Sequence, residues 1–160
     1  IESINHVQPT VVKKDEAKQA IDAVATIKKA EIDKNVNLTD EEKQFFKKKV
    51  DRLGEEIKHQ IDQNTTNQMV DTSKNNGIES INHLNIVGNV KVNAIKHLLE
   101  IAQKQKELID QNKNATIEEK REAQQKVDEL LKMAKDSINA STTNSDVSIL
   151  EKTILIKFVN

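Results

Sequence analysis

Residues Ile1-Glu2-Ser3-Ile4-Asn5-His6 recur unchanged as Ile78-Glu79-Ser80-Ile81-Asn82-His83, and the offset of 77 residues between them holds without a gap to the end of the chain. Under that offset Ala17 pairs with Ala94, Ile32-Asp33 with Ile109-Asp110, Thr39 with Thr116, Glu41-Glu42-Lys43 with Glu118-Glu119-Lys120, Val50-Asp51 with Val127-Asp128, and Thr65-Thr66-Asn67 with Thr142-Thr143-Asn144. Roughly a third of the paired positions are identical, well above chance for a fixed period. A tandem repeat constrains both fold and function. Each repeat must fold as one unit, and an enzyme's single constellation of catalytic groups is not what a string of equivalent units supplies.

Composition agrees with two small helical units. The chain has 160 residues, which the period divides into repeats of under about 80 each. Charged residues make up 32% and aromatics 2%, with no Trp, no Tyr, one Pro and three Gly, the balance of a water-facing helical protein with a thin aliphatic core. Lys and Arg total 25 against 26 Asp and Glu, interspersed, so no basic face exists to attract nucleic acid or anionic lipid. The lack of Cys removes disulfides, thiolate catalysis and zinc-cysteine sites, and leaves the compartment open. No apolar run approaches the 18 or so residues that span a bilayer, and nothing resembles a signal peptide. A chain opening on Ile1 is read as a piece of a longer one, so this says nothing about the parent.

Within each repeat the apolar spacing predicts three helices. The first runs from about Val11 to Asn35 on a stripe of Ala17, Ile21, Val24 and Ile32, mirrored by Ala94, Leu98, Ile101 and Ile109. Thr39 with Glu42, and Thr116 with Glu119, form capping boxes that start a second helix, where acidic residues also suit the helix dipole. Its stripe is Phe46, Val50, Leu53, Ile57 and Ile61, mirrored by Ala123, Val127, Leu130, Ala134 and Ile138, with Phe46 against Ala123 implying a bulkier first core. Thr65-Thr66-Asn67 caps a third helix carrying Val70, Ile78, Ile81 and Leu84, in which Gly77 reads as a soft spot. The expected fold is all-α, tandem antiparallel three-helix bundles forming an elongated rod. The expected division is a tail of a preceding repeat's third helix with its linker at 1–9, repeat one at 10–86 and repeat two at 87–160, with Pro9 and the Asn85, Gly88, Asn89 stretch marking connections. Residues 148–160 leave the repeat pattern. Val147, Leu150, Ile154 and Phe158 fit a helical face, whereas the β-branched run around them would also suit a strand or irregular tail; helix is the expectation.

Candidate sites are few. Asp33-x-Asn35-x-Asn37 and Asp110-x-Asn112-x-Asn114 match the first ligand positions of a calcium loop, but Leu38 and Ala115 replace the needed Gly, and Gln44 and Arg121 the bidentate Glu. A polar turn leading to a Thr cap is the better reading. His6, His59, His83 and His97 lack ligand spacing, His97 with Glu100 being only an i, i+3 pair. No Ser occupies a nucleophile elbow and no phosphate loop exists. The sequons at Asn37, Asn64, Asn114 and Asn139 follow from an Asn- and Thr-rich composition. No catalytic, cofactor-binding or metal-binding residue is assigned.

The run Ala17-Lys18-Gln19-Ala20-Ile21-Asp22, Ala30-Glu31-Ile32-Asp33, Leu38-Thr39-Asp40-Glu41-Glu42-Lys43, Val50-Asp51, Ile61-Asp62, Thr65-Thr66-Asn67, Val70 and Gly77-Ile78 resembles a helical repeat of unknown function. That repeat occurs in tandem in large staphylococcal cell-wall-anchored surface proteins such as SasC and FmtB, with relatives in the giant extracellular matrix-binding protein. The resemblance covers nearly the whole chain and brings no catalytic residue. It implies a non-catalytic stalk, secreted and held at the surface of a Gram-positive cell, that projects an adhesive region in attachment and biofilm formation. The expected partners are neighbouring repeats of the same chain, which is otherwise a monomer. The alternative is a binding module whose helical faces capture a host matrix or plasma protein, or a like module on another cell. Protein-binding hot spots favour Trp, Tyr and Arg, and only Arg52 and Arg121 are present, which favours the stalk.

Overall fold

A computed structural model describes residues 8–159, so His6 and the expected tail of a preceding repeat at 1–7 lie outside the described residues. Those residues form six α-helices and no strand: α1 Thr10–Lys34, α2 Asp40–Gln63, α3 Asn67–Asn82, α4 Val90–Gln111, α5 Ile117–Ala140 and α6 Asn144–Val159. The chain is all-α, and the run after residue 148 continues α6 to Val159.

The helix starts sit where the caps place them. Thr39 and Glu42 exchange both bonds of a capping box, the Glu42 amide donating to Thr39 Oγ1 at 3.3 Å and the Thr39 amide to Glu42 Oε1 at 3.1 Å. Thr116 accepts from the Glu119 amide at 3.1 Å but gives Glu119 its hydroxyl hydrogen rather than its backbone one. Thr66 and Thr143 cap α3 and α6 through the amides of Met69 and Asp146.

Two compact units result. Among the described residues the first comprises 8–35 together with Lys43–Ile86, the second Val36–Glu42 together with 87–159. In the first, α1 and α2 are laced by Lys18–Asp62, Lys58–Asp22, Lys29–Asp51 and Lys47–Asp33, each at 2.7 to 2.9 Å. Partner numbers on α2 fall as those on α1 rise, so the two helices run in opposite directions. Exposed pairs of this kind add little stability each, and their ordered spacing chiefly fixes the register. Beneath the ladder lie Ala17, Ile21, Ala25, Ile32, Phe46, Val50, Ile57, Ile61, Val70 and Ile81. The buried line on α2 passes through Gly54 rather than Leu53, which is only half-buried, and on α1 through Ala25 rather than Val24.

Gly77 is not a soft spot. A Cβ built there would meet Ile57 Cγ2 at 2.5 Å and Ile21 Cδ1 at 3.1 Å, so α3 approaches its neighbours more closely than any side chain would allow. Ile78, expected in the stripe, is displaced to the half-buried edge.

In the second unit α4, α5 and α6 pack pairwise on one another. The core is Ala94, Leu98, Ala102, Ala134, Ile138, Val147, Ile154 and Phe158, bordered by the half-buried Val127, Leu130 and Leu150. Phe158 gives this unit the aromatic that Ala123 does not, so the bulk expected only of the first core is matched from a different helix.

Candidate interaction site

A polar cluster lies in the second unit, where Val36–Glu42 meets the starts of α4 and α6. Glu42 is its centre. Besides closing its own capping box, its Oε2 accepts from the amides of Asn89 at 2.7 Å and Val90 at 3.3 Å, so one carboxylate serves two helix starts. Glu41 Oε2 accepts from the Asn144 amide at 2.6 Å and serves a third. The buried Thr39 hydroxyl lies 2.5 Å from Asn144 Oδ1, and the Asp40 amide donates to the Thr142 carbonyl at 2.6 Å.

The desolvation of Glu42 on its own would raise its pKa. The amides of Thr39, Asn89 and Val90 and the Thr39 hydroxyl outweigh that effect and hold the carboxyl below its ordinary value. Lys91, only 4% exposed, donates from Nζ to the carbonyls of Val36 and Asn139, each at 2.8 Å. Asn139 lies in the last turn of α5, the end of a helix that favours a cation. Leu38, also buried, lies over Gly88, where a Cβ would come within 2.8 Å of both Leu38 Cδ2 and the Asn37 carbonyl. The cluster is thus a set of helix caps around one lysine.

The calcium-like loops are spent elsewhere. Asp33 pairs with Lys47 and Asp110 with Gln124, while the amides of Asn35 and Asn112 close the ends of α1 and α4 on Ile32 and Ile109. Among the described residues no group of three or more His, Cys, Asp or Glu comes together to hold a metal ion. His59 faces Gln63 and His83 Nδ1 meets the Glu79 carbonyl. His97 does have a partner, Glu151 on α6 at 2.5 Å, which its sequence neighbours could not reveal. Of the sequon residues, Asn64 is buried and donates to Met69 O and Ser73 Oγ. One depression of about 360 Å³ is an open groove in the first unit lined by Asn64, Gln68, Met69, Thr72 and Ser73, without a charged group. No described helix is long and apolar enough to cross a membrane.

Sequence reasoning finds Thr39, Glu41 and Glu42 as caps of their own helix but misses what else they hold. A signal exists: Lys14 and Lys91 are repeat equivalents, as are Asp62 and Asn139, and each lysine reaches the carbonyl of its partner position.

Duplicated helices with duplicated caps define this protein as a tandem helical-repeat protein. The chain belongs to the DUF1542 family, Domain of Unknown Function, whose model matches residues 13–88 and again 90–155. It is similar to the extracellular matrix-binding protein EbhA of Staphylococcus aureus strain Mu3, 25% identical over 146 residues, which is 91% of this chain and 2% of that protein. The same identity and coverage of this chain hold for the extracellular matrix-binding protein ebh of strain JH9 and the EbhA of strain Newman, of which it spans 1% and 4%. The chain therefore corresponds to a small part of these relatives. No solved structure gives a significant match.

Proposed function

We propose that this chain is a length of spacer in a bacterial cell-surface adhesin, displayed outside the cell as part of a larger, wall-anchored protein and holding an adhesive region away from the wall in attachment and biofilm formation. Each repeat serves as one three-helix bundle, and repeats in tandem make an elongated rod. The observation that carries this reading is that the chain's polar machinery is consumed by repeated structural work. Thr caps recur at Thr39, Thr66, Thr116 and Thr143, and Lys29–Asp51 returns as Lys106–Asp128. The second reading is a module that captures a host matrix or plasma protein. Its support is the name that the relatives carry, extracellular matrix-binding protein. Its anchor would be Phe45, an exposed phenylalanine flanked by Lys49, whose Nζ lies 5.5 Å from the ring centre.

Small-angle scattering and a plasma pull-down separate the two. A spacer gives a radius of gyration well above the roughly 15 Å of a compact chain this long and retains no plasma protein. A compact value, or capture of fibronectin, fibrinogen or albumin lost on Phe45→Ala, would replace the spacer with the binding module.

A further inference from the structure

We propose that the outward face of α2 in the first unit, Phe45 with Lys48, Lys49 and Arg52, is a docking site for a short acidic segment of a partner protein that also offers an apolar side chain. This rests on the reading of the chain as a module that captures a protein, and names the chemistry of the captured surface. Spacings of three, four and seven residues from Phe45 put all four side chains on one side of the helix, and all four are exposed. The Phe45 ring is 58% exposed yet held in place, meeting the buried Phe46 edge to face at 5.3 Å between ring centres, with Lys49 Nζ 5.5 Å from its own centre. A ring already held loses little freedom on binding, which is what an anchor needs. Among the described residues none of Lys48, Lys49 and Arg52 has a carboxylate within ion-pair distance, whereas Lys47 and Lys58 on the same helix are paired with Asp33 and Asp22.

The fold does not need this face. Its repeat equivalents on α5 are Glu122, Gln125, Lys126 and Glu129, so the ring and two of the three cations are absent there. Neighbouring repeats do not cover it either. Glu122, Gln125, Lys126 and Glu129 are exposed in a unit that another precedes, and Phe45, Lys48, Lys49 and Arg52 in a unit that another follows. Charge along α2 then selects the partner. One turn before the patch stands Glu41, and one turn after it Glu55 and Glu56, so the cations lie between acidic ends. A long polyanion such as a nucleic acid strand is repelled on both sides of so short a patch. A segment with a few carboxylates between basic residues matches the alternation, its carboxylates meeting Lys48 and Arg52 and its apolar side chain the Phe45 ring.

The test is a titration of the full chain, followed by backbone amide NMR, with a synthetic peptide that carries a central cluster of glutamates and leucines between lysine ends. One small patch implies dissociation on the order of a millimolar. Amides at 44–53 should shift, and less so as salt is raised. Phe45→Glu, Lys48→Gln and Arg52→Glu together give α2 the side chains of α5 and should weaken binding at least about tenfold. The chain should still fold, because the second unit folds with those side chains. Glu122→Phe, Gln125→Lys and Glu129→Arg together, in an otherwise unchanged chain, should create a second site on α5. Four results overturn the inference: no shift on α2, equal binding of a peptide with its glutamates and lysines exchanged, binding indifferent to the triple replacement on α2, or tighter binding of a single-stranded oligonucleotide to the same face. Plasma capture that Phe45→Ala abolishes but Lys48→Gln with Arg52→Gln leaves intact would keep the capture reading and remove the acidic partner. Peptide binding on α2 without plasma capture would keep the site and remove plasma as the source of its partner.

Discussion

The two units solve the same packing problem with opposite parts. In the first, Ile57 on α2 faces Gly77 on α3; at the equivalent positions the second has Ala134 and Ile154, both in its core cluster. Their polar lacing differs too. The four Lys–Asp rungs between α1 and α2 reduce to Lys106–Asp128 in the second unit, with a hydrogen bond from Gln124 Nε2 to Asp110 Oδ1 where Lys47–Asp33 stands, because Lys18 and Asp22 have become Ile95 and Leu99. In exchange the second unit carries the buried Lys91 and the three-helix cap at Glu41 and Glu42. One unit is held in register by surface charge, the other by a polar cluster at one end, and the shared requirement is total volume and satisfied helix ends rather than particular side chains.

The largest expected effect probes what the units share. Ile61→Ala and Ile138→Ala, equivalent and fully buried, should each cost about 2 to 5 kcal/mol in denaturant melts, in the unit that carries them. Leu53→Ala and Leu130→Ala should cost visibly less, being half-buried. Equal losses at all four positions would mean that the buried line on α2 and α5 is misplaced.

Next comes the exchanged pair. Gly77→Ala should destabilise the first unit by about 1 to 3 kcal/mol despite the better helix propensity of Ala, because the added methyl would lie 2.5 Å from Ile57 Cγ2 and force the packing there to shift. Ile57→Ala in the same chain should return part of that loss, and a double-mutant cycle reads the coupling. Gly54 is the control: a Cβ there meets nothing within 4 Å, so Gly54→Ala should stabilise by up to about 1 kcal/mol.

Lys91→Met against Lys14→Met isolates the polar cluster. The first should cost about 1 to 3 kcal/mol through two lost charge-assisted bonds, the second under about 0.5 kcal/mol. Amide exchange resolved by unit would check it, and equal effects would show that burial of Lys91 adds nothing.

The smallest difference is one of pH. The folded pKa of Glu42 lies below its ordinary 4.5, so its contribution is fully present above that value and is lost as the pH falls through the folded pKa. Glu42→Gln should lower the melting temperature at neutral pH and converge on wild type in acid. A Glu42→Gln loss that persists unchanged in acid would assign the effect to shape instead of charge.

Helix number, type and caps are legible because apolar period and Thr-x-x-Glu spacing are local properties of the chain. Gly77 misleads for the same reason: its cost in an isolated helix is local, while its use depends on Ile57, twenty positions away. The apolar stripe of α2 points one residue off, to Leu53, since a leucine beside a glycine draws attention from a face whose centre carries no side chain. Glu42 reads as the cap of one helix, because nothing near it in sequence points to Asn89. His97 hides its bond to Glu151 in the same way.

The inverted pair Ile57 with Gly77 and Ala134 with Ile154 also bears on how such a chain avoids misassembly. Tandem repeats risk trading equivalent helices during folding, since each offers its neighbour a near-copy of the right partner. Here a traded α3 would leave Gly77 opposite Ala134 and an empty space between them, and a traded α6 would drive Ile154 into Ile57. The first error opens a cavity and the second overfills the core, so each leaves the exchanged bundle less stable than the correct one. Divergence between repeats at these two positions therefore acts as an address, directing each helix to its own unit while the caps and turns stay interchangeable.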